Sequence, residues 1–280
     1  MKRFIINIDD VGSTHGANRA YFELINASAV TSCSVMCICP YYSEFVQLYH
    51  EYGKESGLPA GLHITLTSEW RNYRWRPLTG NSSSLCDSSG HFHANNMAFL
   101  KEAKEDDIKA EIRAQIEQAL EDGLPLTHID AHMGTAFLPN ALDAFLQLAD
   151  EYEIPPLLIK NHDSFINYFY PAGTEVEKLN QTLSERNIII DDLVMIERFY
   201  PEEYYLNPAE YYYQTYQNLE DGTYFIATHP DTCSEIHHIA PRWVHVRRNE
   251  YEMLSKKDFV ATLARLGIEF IGWEEALEQK

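Results

Sequence analysis

Residues 5–20 read IINIDDVGSTHGANRA, preceded by Phe4. Phe4 to Ile8 is a short apolar, β-branched run, which predicts a buried strand. It closes on Asp9-Asp10 and Gly12, and a helix fits Gly16 to Asn26. The unit is strand, polar turn, helix, with the polar residues where the strand stops. Working outward, the pattern repeats. Val30 to Cys39 reads as a second strand closed by Pro40, Tyr42 to Tyr52 as a helix, and Gly61 to Thr67 as a third strand. Leu100 to Gly123 is charged and Ala-rich, a helix terminated by Gly123 and Pro125. Thr127–Ala131 and Pro156–Lys160 read as strands flanking a helix from Pro139 to Tyr152. Thr223–Thr228 and Ile268–Gly272 read as further strands, with a helix from Asp258 to Leu266 between them. Strands that alternate with helices predict a parallel sheet with crossover helices, the α/β class, and a (β/α) barrel fits the length.

Two stretches depart from the pattern. Residues 79–97, TGNSSSLCDSSGHFHANNM, have no helical period and read as a long loop or small β excursion inserted in one 1–280 domain. Residues 161–222 hold a Tyr-rich segment, Phe199 to Tyr216, that mixes helix and loop signals.

Forty-two acidic residues against 22 basic give a formal charge of −20, a poor match for nucleic-acid phosphates or an anionic membrane. The five Cys are odd in number and show no CxxC pair, so neither a disulfide framework nor a Cys zinc site is expected. Cys33, Cys37 and Cys39 read as buried thiols. The apolar run that opens the chain is too short for a signal peptide or a membrane span, and a cytoplasmic protein is expected. No GxGxxG, Walker or GxSxG segment is present, which argues against nucleotide binding and serine hydrolysis.

The polar residues of interest sit at predicted strand ends: Asp9 and Asp10, His63, Asp130 and His132, and His229. In a barrel these ends converge, so residues distant in sequence meet in space. Adjacent carboxylates at the end of a buried strand need pairing or a cation. Taken alone, such a dipeptide is more often a solvated turn. His63 in GLHITLT reads either as a hydrogen-bonded core histidine or as an imidazole ligand. In THIDAHMGT, His128, Asp130 and His132 share one face of an extended strand, and a carboxylate there can orient a ligating neighbour. His229 before Pro230 reads either as a turn residue or as a general acid. Trp70, Arg71, Arg74, Trp75 and Arg76 read either as an ordinary exposed loop or as a mix of aromatic and guanidinium groups suited to a polar ring or an anion. Trp70 and Arg76, with Asp130, are the expected substrate contacts. His91, His93, His237, His238 and His245 are read as solvent or loop residues.

Taken together, IINIDDVGSTHGANRA, AVTSCSVMC, GLHITLTSEW, THIDAHMGTAFLP, ATHPD and LGIEFIGWEEAL resemble the YdjC-like family of carbohydrate deacetylases, in order and over most of the chain. The resemblance implies a distorted (β/α) barrel related to polysaccharide deacetylases. It implies Asp9 as general base, Asp10, His63 and His132 as ligands of a divalent metal (Mg2+ or Zn2+), and His229 as general acid. The two Asp roles could be exchanged. Val11 stands where the family often has Phe, and Met133-Gly134-Thr135 where it often has further His. The implied activity is removal of an N-acetyl group from an acetylated amino sugar or short oligosaccharide, which could carry a phosphate. Two alternatives stay open: hydrolysis of another amide or of a sugar phosphate, and a non-catalytic sugar-binding or regulatory relative. A homodimer is a base-rate expectation.

Overall fold

The computed structural model describes residues 1–80, 84–196, 207–232 and 235–278. Cys233 and part of the Tyr-rich segment, 199–206, lie outside the described residues, as do 81–83 of the inserted loop. Seven strands form one sheet: β1 (Lys2–Val11), β2 (Ser32–Val35), β3 (Gly61–Ile64), β4 (Ile129–Ala131), β5 (Asp192–Val194), β6 (Gly222–Thr228) and β7 (Ile268–Phe270). Helices α1 (His15–Asn26), α2 (Tyr42–Leu48), α3 (Asn96–Glu102), α4 (Glu105–Glu121), α5 (Leu142–Glu151) and α6 (His162–Phe169) lie in the first part. Helices α7 (Glu177–Glu185), α8 (Pro208–Asn218), α9 (Ile236–Ile239), α10 (Val244–Leu254), α11 (Phe259–Arg265) and α12 (Trp273–Glu278) follow. None of the described helices is long and apolar enough to cross a membrane.

The sheet order is β4-β3-β2-β1-β6-β5, with every pair parallel, and β7 adds to the first residues of β1. β1 is central because its apolar run is buried on both faces, as a parallel strand covered by helices must be. The two outer strands turn toward each other. Single parallel bridges, Ile129 to Pro156 and Ile159 to Ile190, carry the curl across residues 156–159. The result is the expected barrel of parallel strands with surrounding helices, distorted where one stave is made of single bridges. Pro155 and Pro156 supply the reason: neither has an N–H, so the predicted strand at 156–160 cannot build a ladder. Backbone pairing there reduces to Ile129 N–H on Pro155 O, Leu157 N–H on Ile129 O, and Lys160 N–H on Ile190 O.

Other boundaries moved for local reasons. The helix expected over 100–123 breaks at Ala103 and Lys104, both extended. Ser84 from the inserted loop docks there: its Oγ accepts Lys104 N–H at 2.8 Å and donates to Asp107 at 2.7 Å. The third strand stops at Ile64 because Gln115 of α4 takes both backbone groups of Thr65, donating to its O and accepting from its N–H. Gly61 is required by packing: a Cβ there would sit 2.2 Å from the buried His128 ring. Thr14 caps α1, accepting Ala17 N–H at 2.9 Å. Helix α10 has no counterpart in the expected elements. Cys33, Cys37 and Cys39 are buried thiols.

Candidate metal centre

Successive side chains of a strand point to opposite faces, so Asp9 and Asp10 should not share a site. They do, because β1 bulges between Ile8 and Val11 and Asp10 takes a left-handed φ of 60°. Such a backbone is strained for a residue with a Cβ, and this kind of strain clusters at functional sites. Both carboxylates line a cavity of about 470 Å³ at the C-terminal ends of the strands, together with His63, Glu69, Asp130, His132, His229 and Arg247.

Asp10 is the hub. Its Oδ1 lies 3.0 Å from His132 Nδ1 and 3.5 Å from His63 Nε2, and its Oδ2 accepts Arg247 Nη2 at 2.5 Å. His63 is oriented from behind: its Nδ1 is 2.6 Å from Asp130 Oδ1 and 3.2 Å from Ser34 Oγ, which leaves Nε2 facing Asp10. His132 opens a 3-10 turn, His132–Phe137, in which Met133 and Gly134 both have positive φ. Its Nε2 is 2.9 Å from Glu69 Oε2. Asp9 Oδ1 accepts Asn7 Nδ2 at 2.7 Å, and its Oδ2 lies 3.7 Å from His229 Nε2.

One donor atom each from Asp10, His63 and His132 lie within 4.8 Å of one another, and the same holds for Asp9, His63 and Asp130. His63 decides between the sets. Its Nδ1 is engaged by Asp130, so Nε2 is the atom available to a cation, and Nε2 faces Asp10. Two imidazoles and a carboxylate form a donor set suited to a divalent ion.

The electrostatics carry the same message. Four carboxylates (Asp9, Asp10, Glu69, Asp130) line the cavity against one guanidinium, Arg247, so the site is short of positive charge. Burial pushes Asp9 up to about 6, against the pull of His63 and His229. Burial also works to raise Asp10, but Arg247 and His132 outweigh it and hold the carboxyl well below its usual range. Burial disfavours charge on the imidazoles, yet Asp130 and Asp10 push His63 well above its usual value. In the same way Glu69 and Asp10 overcome burial and push His132 up to about 9. Protons on the imidazoles thus offset the missing charge when no cation is bound.

Of the residues expected from sequence, Asp9, Asp10, His63, His132, His229, Trp70 and Asp130 line this cavity. Arg76 does not: it is exposed, and its Nε lies 3.5 Å from His91. Asp130 is buried behind His63. His93 is buried too, its ring on Ser84 O at 2.9 Å, whereas His237, His238 and His245 are exposed. Glu69 and Arg247 were not anticipated. For Arg247 a signal existed: Val246, Arg247, Glu250, Met253 and Leu254 fall at helical spacing, with two charges on an otherwise apolar face.

Residues 3–265 match the family model described as YdjC-like protein. A protein of Thermoanaerobacter pseudethanolicus named carbohydrate deacetylase is 30% identical over 225 residues, covering 71% of this chain and 87% of that protein. One of the same name from Thermus thermophilus is 28% identical over 267 residues, covering 93% and 89%. Among solved structures, an Enterococcus faecalis V583 protein whose name proposes cellobiose-phosphate cleavage superposes with a TM-score of 0.77 at 21% identity, covering 98% of each chain.

Proposed function

The chain belongs to the YdjC-like family, and from that membership and the cavity geometry we propose that it is a metal-dependent hydrolase removing an N-acetyl group from an acetylated amino sugar or short oligosaccharide. The observation that carries the reading is the meeting of Asp10, His63 and His132 around one point, with Asp9 and His229 on its border. Curated relatives named carbohydrate deacetylase support the substrate class.

Asp10 Oδ1, His63 Nε2 and His132 are the groups that would hold the cation. A divalent ion in such a site supplies Lewis acidity toward a carbonyl oxygen and makes water a stronger acid. Asp9 is the base: it is ionised at neutral pH, and burial raises its basicity above that of an ordinary carboxylate. His229, 3.7 Å from Asp9, is the acid that hands a proton to the departing amine nitrogen. Asp130 fixes the His63 ring, and Arg247 holds the outer oxygen of Asp10. Trp70, beside Trp243 at the same cavity, offers an aromatic face to a sugar ring.

Acetate release measured over a panel of acetylated mono- and disaccharides, with and without a 6-phosphate, tests the reading. Acetate should appear in the presence of Zn2+ or Mg2+ and stop on chelation. Asp9→Asn should abolish turnover while the metal still binds. Release of phosphate in place of acetate, or sugar binding with no acetate, would overturn the proposal.

A further inference from the structure

Helix α10 carries two buried charges of opposite sign one turn apart, Arg247 and Glu250, and they reach different halves of the site. Arg247 holds Asp10 Oδ2. Glu250, 1% exposed, sends Oε2 to the backbone N–H of His229 at 2.6 Å and Oε1 to the hydroxyl of Tyr212 on α8 at 2.6 Å. We infer that Glu250 is a positioning residue for His229, fixing where the imidazole stands over Asp9. This rests on the acid role given to His229 above.

The local chain explains why such an anchor is needed. β6 ends at Thr228, so the ladder that holds residues 222–228 stops one residue short of His229. Pro230 has no N–H to continue it. The next amide, Asp231 N–H, also goes to α10, on Arg247 O at 3.3 Å. Both amides around the proline are therefore held by one helix, and the first is held by a carboxylate. Hydrogen bonds to an ionised acceptor are about twice as strong as neutral ones. The same helix grips the hub carboxylate, so it sets the spacing between Asp10 and the acid. A core glutamate serving stability alone would satisfy the same hydrogen bonds, so the test must separate the two roles.

Glu250→Gln keeps the volume and removes the charge. In acetate release, kcat should fall about 10- to 100-fold while KM stays within about twofold, the signature of a misplaced reacting group. In a His229→Ala background the same change should lower kcat by less than about twofold, because there is no imidazole left to misplace. Losses that multiply in the double variant, or an unchanged kcat in Glu250→Gln, overturn the inference. Should Glu250→Gln fail to fold, Tyr212→Phe removes one hydrogen bond to the same carboxylate and enters the same cycle, with a smaller loss expected. The His229 amide proton gives a readout that needs no turnover: a carboxylate acceptor shifts it downfield, and Glu250→Gln should move it upfield. A wild-type protein that releases acetate from no substrate overturns the deacetylase reading, whereas an amide proton that fails to move upfield overturns this inference.

Discussion

Binding of a divalent cation should expel about two protons near pH 7, and the number follows from the charges around the site. Without a cation, His132 titrates at about 9, because Glu69 and Asp10 outweigh its burial, and His63 is raised well above its usual value by Asp130 and Asp10. At pH 7 a group with a pKa of about 9 is roughly 99% protonated. A cation takes imidazole only in its neutral form, so each ligand loses its proton on binding. Asp10, held low by Arg247, contributes none, and Asp9, at about 6, is already mostly ionised. Apparent affinity should therefore rise steeply with pH near neutrality, and the rise should ease as pH passes about 9, where His132 gives up its proton unaided. Calorimetric titration of metal-free protein with Zn2+, in buffers of different ionisation enthalpy, reads the proton count as the slope of observed heat against buffer heat. Glu69→Gln should lower that count, since one of the two carboxylates raising His132 is gone. Release of less than about half a proton at pH 7 would refute the charge bookkeeping. Stability of the metal-free protein runs the opposite way with pH. The folded pKa of His132 lies above the unfolded value of about 6.5, so its contribution is complete below that pH and lost as pH rises through about 9. That loss is at most about 3 kcal/mol in the metal-free protein, read as a falling unfolding midpoint.

The rate of acetate release should show an acid limb from Asp9, active as the carboxylate. A cation beside it favours ionisation, so the midpoint in the loaded enzyme should lie at or below about 6, and a limb centred above about 7 would exclude this assignment. Trp70→Ala should raise KM about tenfold, whereas Arg76→Ala, exposed and outside the cavity, should leave KM within about twofold; equal effects would contradict the geometry. Gly134→Ala puts a Cβ 2.2 Å from Phe169 on a backbone at φ +67°, and should destabilise by about 2 kcal/mol or more by denaturant unfolding. An unchanged midpoint would show that the turn after His132 relaxes.

Much was legible in the residues because it depends on local order. The apolar run Phe4–Ile8 makes a buried strand in any context that covers both faces, and the alternation of strands with helices selects a parallel sheet. Placement of Asp9, His63, His132 and His229 near strand ends followed from the same pattern, since strand ends converge in a barrel. Other features depend on contacts between distant segments. That Asp9 and Asp10 share a cavity required the bulge in β1, because regular pleating would have put them on opposite faces. Glu69 and Arg247 entered the site only when the loop after β3 and helix α10 packed over it. Arg76 stayed outside, although its composition resembled that of Trp70's surroundings. Sequence pattern reports which face of an element is apolar. Only the packed structure decides which charges are drawn into a buried space, because that depends on the sum of all the charges meeting there.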